Sequence, residues 1–504
     1  MDEVAVDGVM LRYPNQFILG PTFMDRVQLW KHVQVNDRLC LSVHPSLEVC
    51  CVKNDQKSLF LIGYILDSRR PTVDNESILS DLLADFDDFD SFYEKTCPFG
   101  GRWIMIADDG AEVYLFNDAA GHRQVFYTTV EAGHDLWCAS QPRLLAELNG
   151  CQVSRPAGDF INAYEFRKNP EYRWPGHGSP YAQIQHLLPN HYLNLGTGVS
   201  RRYWPAQPLT PIPLERAVER AASTLKGLVE AAAHRFELAV SLTAGLDSRV
   251  VLAASRTVVT DSPVMTVRQI DKPEDHADVR VASQLAAMLG LHHDVIQSSL
   301  IIDDDFLRCF KQNTALPHYI YAPDAHAIYQ YYRRRRVVVT GSISEIGRLS
   351  FRSQLGKPET EPIDAYDLAR LQKMGRQSFA VQAFDTWLSG LGEIYNIPLL
   401  DLFEWEQGHG NWLAMCHMEF DIAWKDLFAP FNCRDLLTML LSVESRHRQK
   451  PDYTLHRRMV EALWPELLKV PINPHDQHKQ KMAAALKAKI PYPFKKSVKR
   501  LLGR

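Results

Sequence analysis

The stretch 237–249, ELAVSLTAGLDSR, constrains this 504-residue chain more than any other. Residues 238–242 form an apolar run with the length and composition of a buried strand. The run ends in TAGLDS (243–248), a turn of small residues, and an apolar helical segment follows from Arg249. Such a junction gathers unpaired backbone N–H groups and the positive end of a helix dipole at one point, which makes an anion cradle. Gly245 permits close backbone approach, and Thr243 and Ser248 add hydroxyl donors. Asp247 would repel a bare phosphate, so its presence predicts a divalent cation arriving with the anion. The plainer reading is a tight strand-to-helix turn in any α/β domain.

The rest of the chain narrows that choice. Its length exceeds one ordinary core, so two or more domains are expected. The segment QPLTPIP (207–213) reads as a linker, placing a first domain at 1–205 and a second at 206–504. Before the linker, short apolar runs at 59–66, 103–107, 113–116 and 125–130 alternate with charged or glycine-containing turns. They predict a β-rich domain with a hairpin at Asp108-Asp109-Gly110. Short helices are expected at 77–89 and 142–148. After the linker, apolar residues at 214, 217, 218, 221, 222, 225, 228, 229 and 232 predict a core helix over 214–236. Strands are then expected at 263–267, 293–296 and 337–340, with a helix opening at Asp278. That alternation predicts a parallel sheet whose ligands sit beyond the carboxyl ends of its strands. From about Ser353 the chain reads as helical.

Composition excludes several classes. A formal net charge of −4 gives no general case for nucleic acid or an anionic membrane. No apolar run is long enough to span a bilayer and no signal sequence is evident, which predicts a cytoplasmic protein. Nine scattered cysteines without a C-x-x-C pair predict free thiols rather than disulfides or zinc. The arginine run 333–336 reads as the solvated end of a helix, with a nucleic-acid patch as the minority reading. The basic tail 479–504 reads as a surface helix or frayed end, with membrane-surface or substrate-leader binding as the minority reading.

The turn TAGLDS resembles the pyrophosphate loop of ATP-pyrophosphatases, S-G-G-x-D-S, with Thr243 and Ala244 in place of the first Ser and Gly. NDAAGHRQVFY (117–127), ASQPRLLA (139–146), IQHLLPNHYL (184–193) and RYW (202–204) resemble, in order, segments of the glutaminase domain of asparagine synthetases. GSISEIGR (341–348), EWEQGHGNW (404–412), APFNCRD (429–435) and YTLHR (453–457) resemble parts of the same family's synthetase domain. This asparagine synthetase and β-lactam synthetase resemblance implies an N-terminal Ntn-hydrolase-like sandwich of the class II glutamine amidotransferase kind. It also implies a C-terminal adenine nucleotide α-hydrolase-like parallel-sheet domain with a helical extension.

The resemblance implies ATP and Mg2+ as cofactors. The nucleotide would lie on Leu242, Thr243, Ala244, Gly245, Asp247, Ser248, Val267, Thr340 and Gly341, with Asp247 and Glu345 on the metal. Glu406 would be the assisting acid, and Lys450 or Arg457, with Arg448 and His456 nearby, would neutralise departing pyrophosphate. Three departures qualify this picture. Asp2, not Cys, follows Met1, so no N-terminal nucleophile is available and glutaminase activity is not expected. Tyr453 stands where the family has a catalytic lysine, and Ser342 where it has Glu or Tyr. The activity implied is AMP-forming amide synthesis, in which a small-molecule or peptide carboxylate is adenylated and captured by an amine, as a lactam or macrolactam, or by ammonia. Ammonia-dependent amidation of a uronic acid, an RNA-modifying enzyme and a non-catalytic nucleotide-binding scaffold are the alternatives. A homodimer is possible.

Overall fold

A computed structural model describes residues 11–24, 29–130, 135–332, 334–348, 351–355, 357 and 361–474. Its first half contains two six-stranded sheets, each joined by antiparallel pairs. One runs Ile184–His186, Phe126–Thr128, Cys138–Ala139, Phe17–Gly20, Leu39–Val43, Lys31–Asn36 in spatial order. The other runs Ser200–Arg202, His191–Asn194, Val113–Asn117, Phe99–Asp108, Ser58–Asp67, Val49–Lys53.

Strand periodicity explains the layering. Phe60, Ile62, Ile104 and Ile106 face inward and meet Phe17, Leu19, Leu41 and Val43 of the other sheet. Leu59, Leu61 and Met105 point the opposite way, onto helices Asn75–Ala84 and Phe89–Thr96. Helix Pro142–Asn149 covers the far face of the other sheet through Leu144 and Leu145. The result is helix, sheet, sheet, helix. The expected hairpin is present, with Gly110 at φ 87° in its turn. The expected helix over 77–89 is two helices, because Asp88 caps a second one by accepting from Ser91.

The second half is built on a five-stranded parallel sheet, ordered His293–Gln297, Val264–Arg268, Leu238–Ser241, Val337–Val339, Asp426–Phe428. Strand order reverses between Leu238–Ser241 and Val337–Val339, so the crevice of this sheet lies there. The helix Leu214–Arg235 buries Ala217, Val218, Ala221, Leu225, Leu228, Val229 and Ala232, as its spacing predicted. The strand Asp426–Phe428 is an addition to the sequence reading, which had this region helical. Two sheet systems of this kind fit an α/β two-domain fold.

The halves meet over a buried surface. The helix Leu214–Arg235 approaches so closely that a Cβ on Gly227 would lie 2.1 Å from the Ser68 carbonyl oxygen. Arg102 pairs with Asp421 at 2.6 Å and Asp426 at 2.8 Å, and Arg123 pairs with Asp426 at 2.7 Å. Asn432 donates to Asp118 and accepts from the Ala120 N–H. The segment 117–127, singled out in the sequence, thus contributes several groups that bind the second half. All nine cysteines are free. Among the described residues no helix is long and apolar enough to cross a membrane. Arg334 pairs with Glu237, and Arg336 donates to the Leu238 carbonyl, so this part of the basic run has local partners. Arg333 and the tail 479–504 lie outside the described residues.

Candidate functional site

Two loops leave the carboxyl ends of the strands that flank the reversal. The first is 242–245, followed by helix Leu246–Ala254 with Gly245 at its N-cap. Leu242 is fully buried and anchors the loop by donating to the Met265 carbonyl at 2.9 Å. Within the loop, the Gly245 N–H donates to the Thr243 hydroxyl at 3.2 Å, and the Thr243 N–H to the Ser248 hydroxyl at 3.2 Å. The Ala244 N–H donates to the Asp278 carboxylate at 2.9 Å. The cradle predicted from sequence is therefore closed upon itself. Val267 lies in strand Val264–Arg268 and Thr340 follows strand Val337–Val339, the two strands that flank Leu238–Ser241.

The second loop, 340–348, folds back on the first. A Cβ on Gly341 would lie 2.6 Å from the Asp247 carbonyl carbon and 2.8 Å from the Ser248 nitrogen, so only glycine allows this approach. Ile343 adopts a left-handed conformation, φ 77°, and turns the chain toward Glu345. Arg448, buried and paired with Asp401 at 2.7 Å, donates to the carbonyls of Ile346 and Gly347 and pins the loop from beneath. His456 lies 3.3 Å from the Ser344 carbonyl, and burial followed by Arg348 pushes it down to about 4.

Asp247 and Glu345 are brought together by this fold. The Nη2 of Arg348 lies 2.9 Å from Asp247 and 3.5 Å from Glu345, joining the two carboxylates. The Ser344 hydroxyl donates to the other Asp247 oxygen. Glu345 sits in a cleft where 34 % of its side chain still reaches solvent. Loss of solvation, then the charge of Asp247, raises its pKa above the usual glutamate range. Tyr453, at φ 45°, lies beneath Arg348, whose guanidinium carbon is 5.1 Å from the ring centre.

The cleft has a far wall that the sequence did not point to. His409, on the π-helix Glu404–Leu413, has its Nε2 3.5 Å from Glu404 and 3.9 Å from Glu345. Ser342 lies 3.2 Å from His417, and His417 lies 3.1 Å from His122 of the first half. Burial holds both histidines well below the ordinary value, and so neutral.

Other expected residues are placed elsewhere. Glu406 is fully buried and its two oxygens are occupied. It pairs with Arg202 through both of them, accepts from Asn190 at 3.0 Å and accepts from Trp387 at 2.8 Å. The acid assigned from the motif is thus a brace between the halves, and Glu404, two residues earlier, is the one that reaches His409. The π-helical winding decides this, and local sequence gives little sign of it. Lys450 is exposed, and Arg457 is exposed with its Nε donating to the Asp452 carbonyl at 2.8 Å. Arg457 stands near Arg249, which burial and then Arg457 push down to about 10.

Two carboxylates able to share a cation are what the protein supplies toward a divalent metal. Among the described residues no group of three or more metal-ligating side chains occurs. A pair of carboxylates is what magnesium takes from a protein when phosphate oxygens and water complete its shell. A cavity of about 890 Å³ lined by Arg143, Arg167, Lys311 and Tyr319 lies elsewhere, and none of the loop residues lines it.

No family model matches the chain. No curated protein sequence matches it either. Among solved structures it is similar to a glutamine phosphoribosylpyrophosphate amidotransferase from B. subtilis complexed with ADP and GMP. Identity is 9 % and TM-score 0.23, over 73 % of this chain and 75 % of that one. A structure of the allosteric regulatory enzyme of purine biosynthesis is similar at 9 % identity and TM-score 0.23, over 59 % of this chain and 63 % of that one. Both likenesses are too slight to build on, and the side-chain geometry stands by itself.

Proposed function

We propose that the chain is an ATP-dependent, AMP-forming amide synthetase that adenylates a carboxylate and passes the acyl group to an amine or to ammonia. The observation that carries this reading is the pair Asp247 and Glu345, brought together on either side of Arg348 at the strand-order reversal. The loop 242–245 would hold the phosphates once Asp278 releases the Ala244 N–H. Leu242, Val267, Thr340 and Gly341 would border the adenosine. Asp247 and Glu345 would hold magnesium, which when bound supplies positive charge against the phosphates. In the first step the substrate carboxylate attacks the α-phosphorus and pyrophosphate leaves. In the second, the amine attacks the acyl carbon, loses a proton and expels AMP. An amine carried on the same substrate gains proximity, which favours ring closure.

The first half would be an Ntn-hydrolase-like domain retained as a brace, without glutaminase chemistry, and its role is consistent with the Arg102, Arg123, Asp421 and Asp426 ion network. The self-closed cradle and Tyr453 favour one second reading, a scaffold that binds nucleotide without turnover. The deciding experiment is magnesium-dependent binding of a non-hydrolysable ATP analogue by wild type, Asp247→Ala and Glu345→Ala, followed by pyrophosphate release with candidate carboxylates. Binding lost in both variants, with release in wild type, supports the synthetase. Binding without release from any carboxylate–amine pair supports the scaffold, and absence of wild-type binding refutes both.

A further inference from the structure

Arg348 lies between Asp247 and Glu345, the two carboxylates that would hold a shared metal. One of its nitrogens serves both carboxylates, at 2.9 and 3.5 Å, so a guanidinium and a divalent ion cannot both bridge them. One positive charge faces two negative ones, which leaves the cluster one charge short of balance, whereas a divalent ion would complete it. The arginine also has somewhere to go. Its Nε is buried without a partner among the described residues, and its guanidinium carbon lies over the Tyr453 ring, 5.1 Å from the centroid. A planar cation on an aromatic platform can swing while staying partly stabilised. The loop beneath it is held by Arg448 and His456 at the carbonyls of residues 344, 346 and 347, so a displacement of Arg348 need involve only its side chain.

We propose that Arg348 is a built-in counter-ion that keeps divalent metal off Asp247 and Glu345 until a nucleotide arrives, and then turns from the carboxylates to the nucleotide's phosphates. The second half of this statement rests on the nucleotide reading above, and the first half does not. The device also places a cation beside Tyr453. Metal and nucleotide would therefore bind together, each lowering the cost of displacing the arginine for the other.

The test uses two probes, manganese alone followed by electron paramagnetic resonance, and a magnesium-loaded non-hydrolysable ATP analogue followed by calorimetry. Arg348→Gln should bind manganese at least ~10-fold more tightly than wild type, because two carboxylates are freed, and should bind the analogue about 10-fold more weakly. Opposite signs are the signature, since general damage to the loop would weaken both. The added manganese binding should vanish in Asp247→Asn/Arg348→Gln. If Arg348→Gln does not fold, Arg348→Met takes its place, with the same opposite signs expected in manganese and analogue binding. Unchanged or weaker manganese binding in the folded variant overturns the proposal. Tighter manganese binding in a protein whose wild type ignores the ATP analogue upholds the counter-ion and overturns the nucleotide reading instead.

Discussion

Glu406→Ala separates a brace from a catalytic acid. The substitution removes a carboxylate that Arg202, Asn190 and Trp387 all use, in a place where Glu406 is fully buried. Removing one partner of a buried ion pair costs about 3–5 kcal/mol, because the other charge is stranded. The side-chain N–H groups of Asn190 and Trp387 would also be left unpaired, at about 1–3 kcal/mol each. Water entering the space offsets part of this, and a net loss of about 5 kcal/mol is expected. With about 2.1 cal/mol/K of unfolding entropy per residue over 504 residues, that is a fall of about 5 °C in the melting midpoint. Differential scanning calorimetry measures it. Arg202→Met/Glu406→Met, which replaces the pair by apolar groups of similar size, should recover the ion-pair part of the loss while Asn190 and Trp387 stay unpaired. Binding of a magnesium-loaded ATP analogue should be unchanged in both, since Glu406 faces the interface of the halves. A Glu406→Ala protein that melts as wild type does but no longer supports turnover would refute the brace and restore the catalytic assignment.

Two further outcomes follow from the same geometry. Gly341→Ala would press a methyl group against Asp247 backbone atoms at 2.6 Å, costing about 3 kcal/mol or displacing the loop, and calorimetry should find the ATP analogue no longer bound. His186 is held at about 3 by burial, then by His177 and His191, against about 6.5 in the unfolded chain. Below pH 6.5 the unfolded state binds a proton that the folded state refuses, so stability falls with pH through that window, by about 1.4 kcal/mol at pH 5.5 for this group. Lowering the pH from 7.5 to 5.5 should therefore destabilise His186→Gln less than wild type in urea titrations, and equal sensitivity would show the imidazole to be solvated.

Much of this protein was already determined by its sequence. The buried run 238–242, its small-residue turn and the helix after it are local events, fixed by side-chain size and by periodicity within a dozen residues. The same holds for the helix over 214–235 and for the strands at 264–268, 293–297 and 337–339. The family resemblance paired Asp247 with Glu345 across about a hundred residues, and parallel strands, whose following loops share one edge, make that pairing physically possible. The strand Asp426–Phe428 was not legible, because three residues carry no periodicity and only an adjacent strand makes them a strand. Tertiary structure alone decided which acid of EWEQ faces the cleft, since π-helical winding turns Glu404 toward His409 and Glu406 toward Arg202. It also decided that Arg348 lies on Tyr453 and between two carboxylates, and that His122 meets His417 from 295 residues away. Local propensity acts over a turn or a strand. The charges that a site brings together are selected by packing, which sequence spacing does not record.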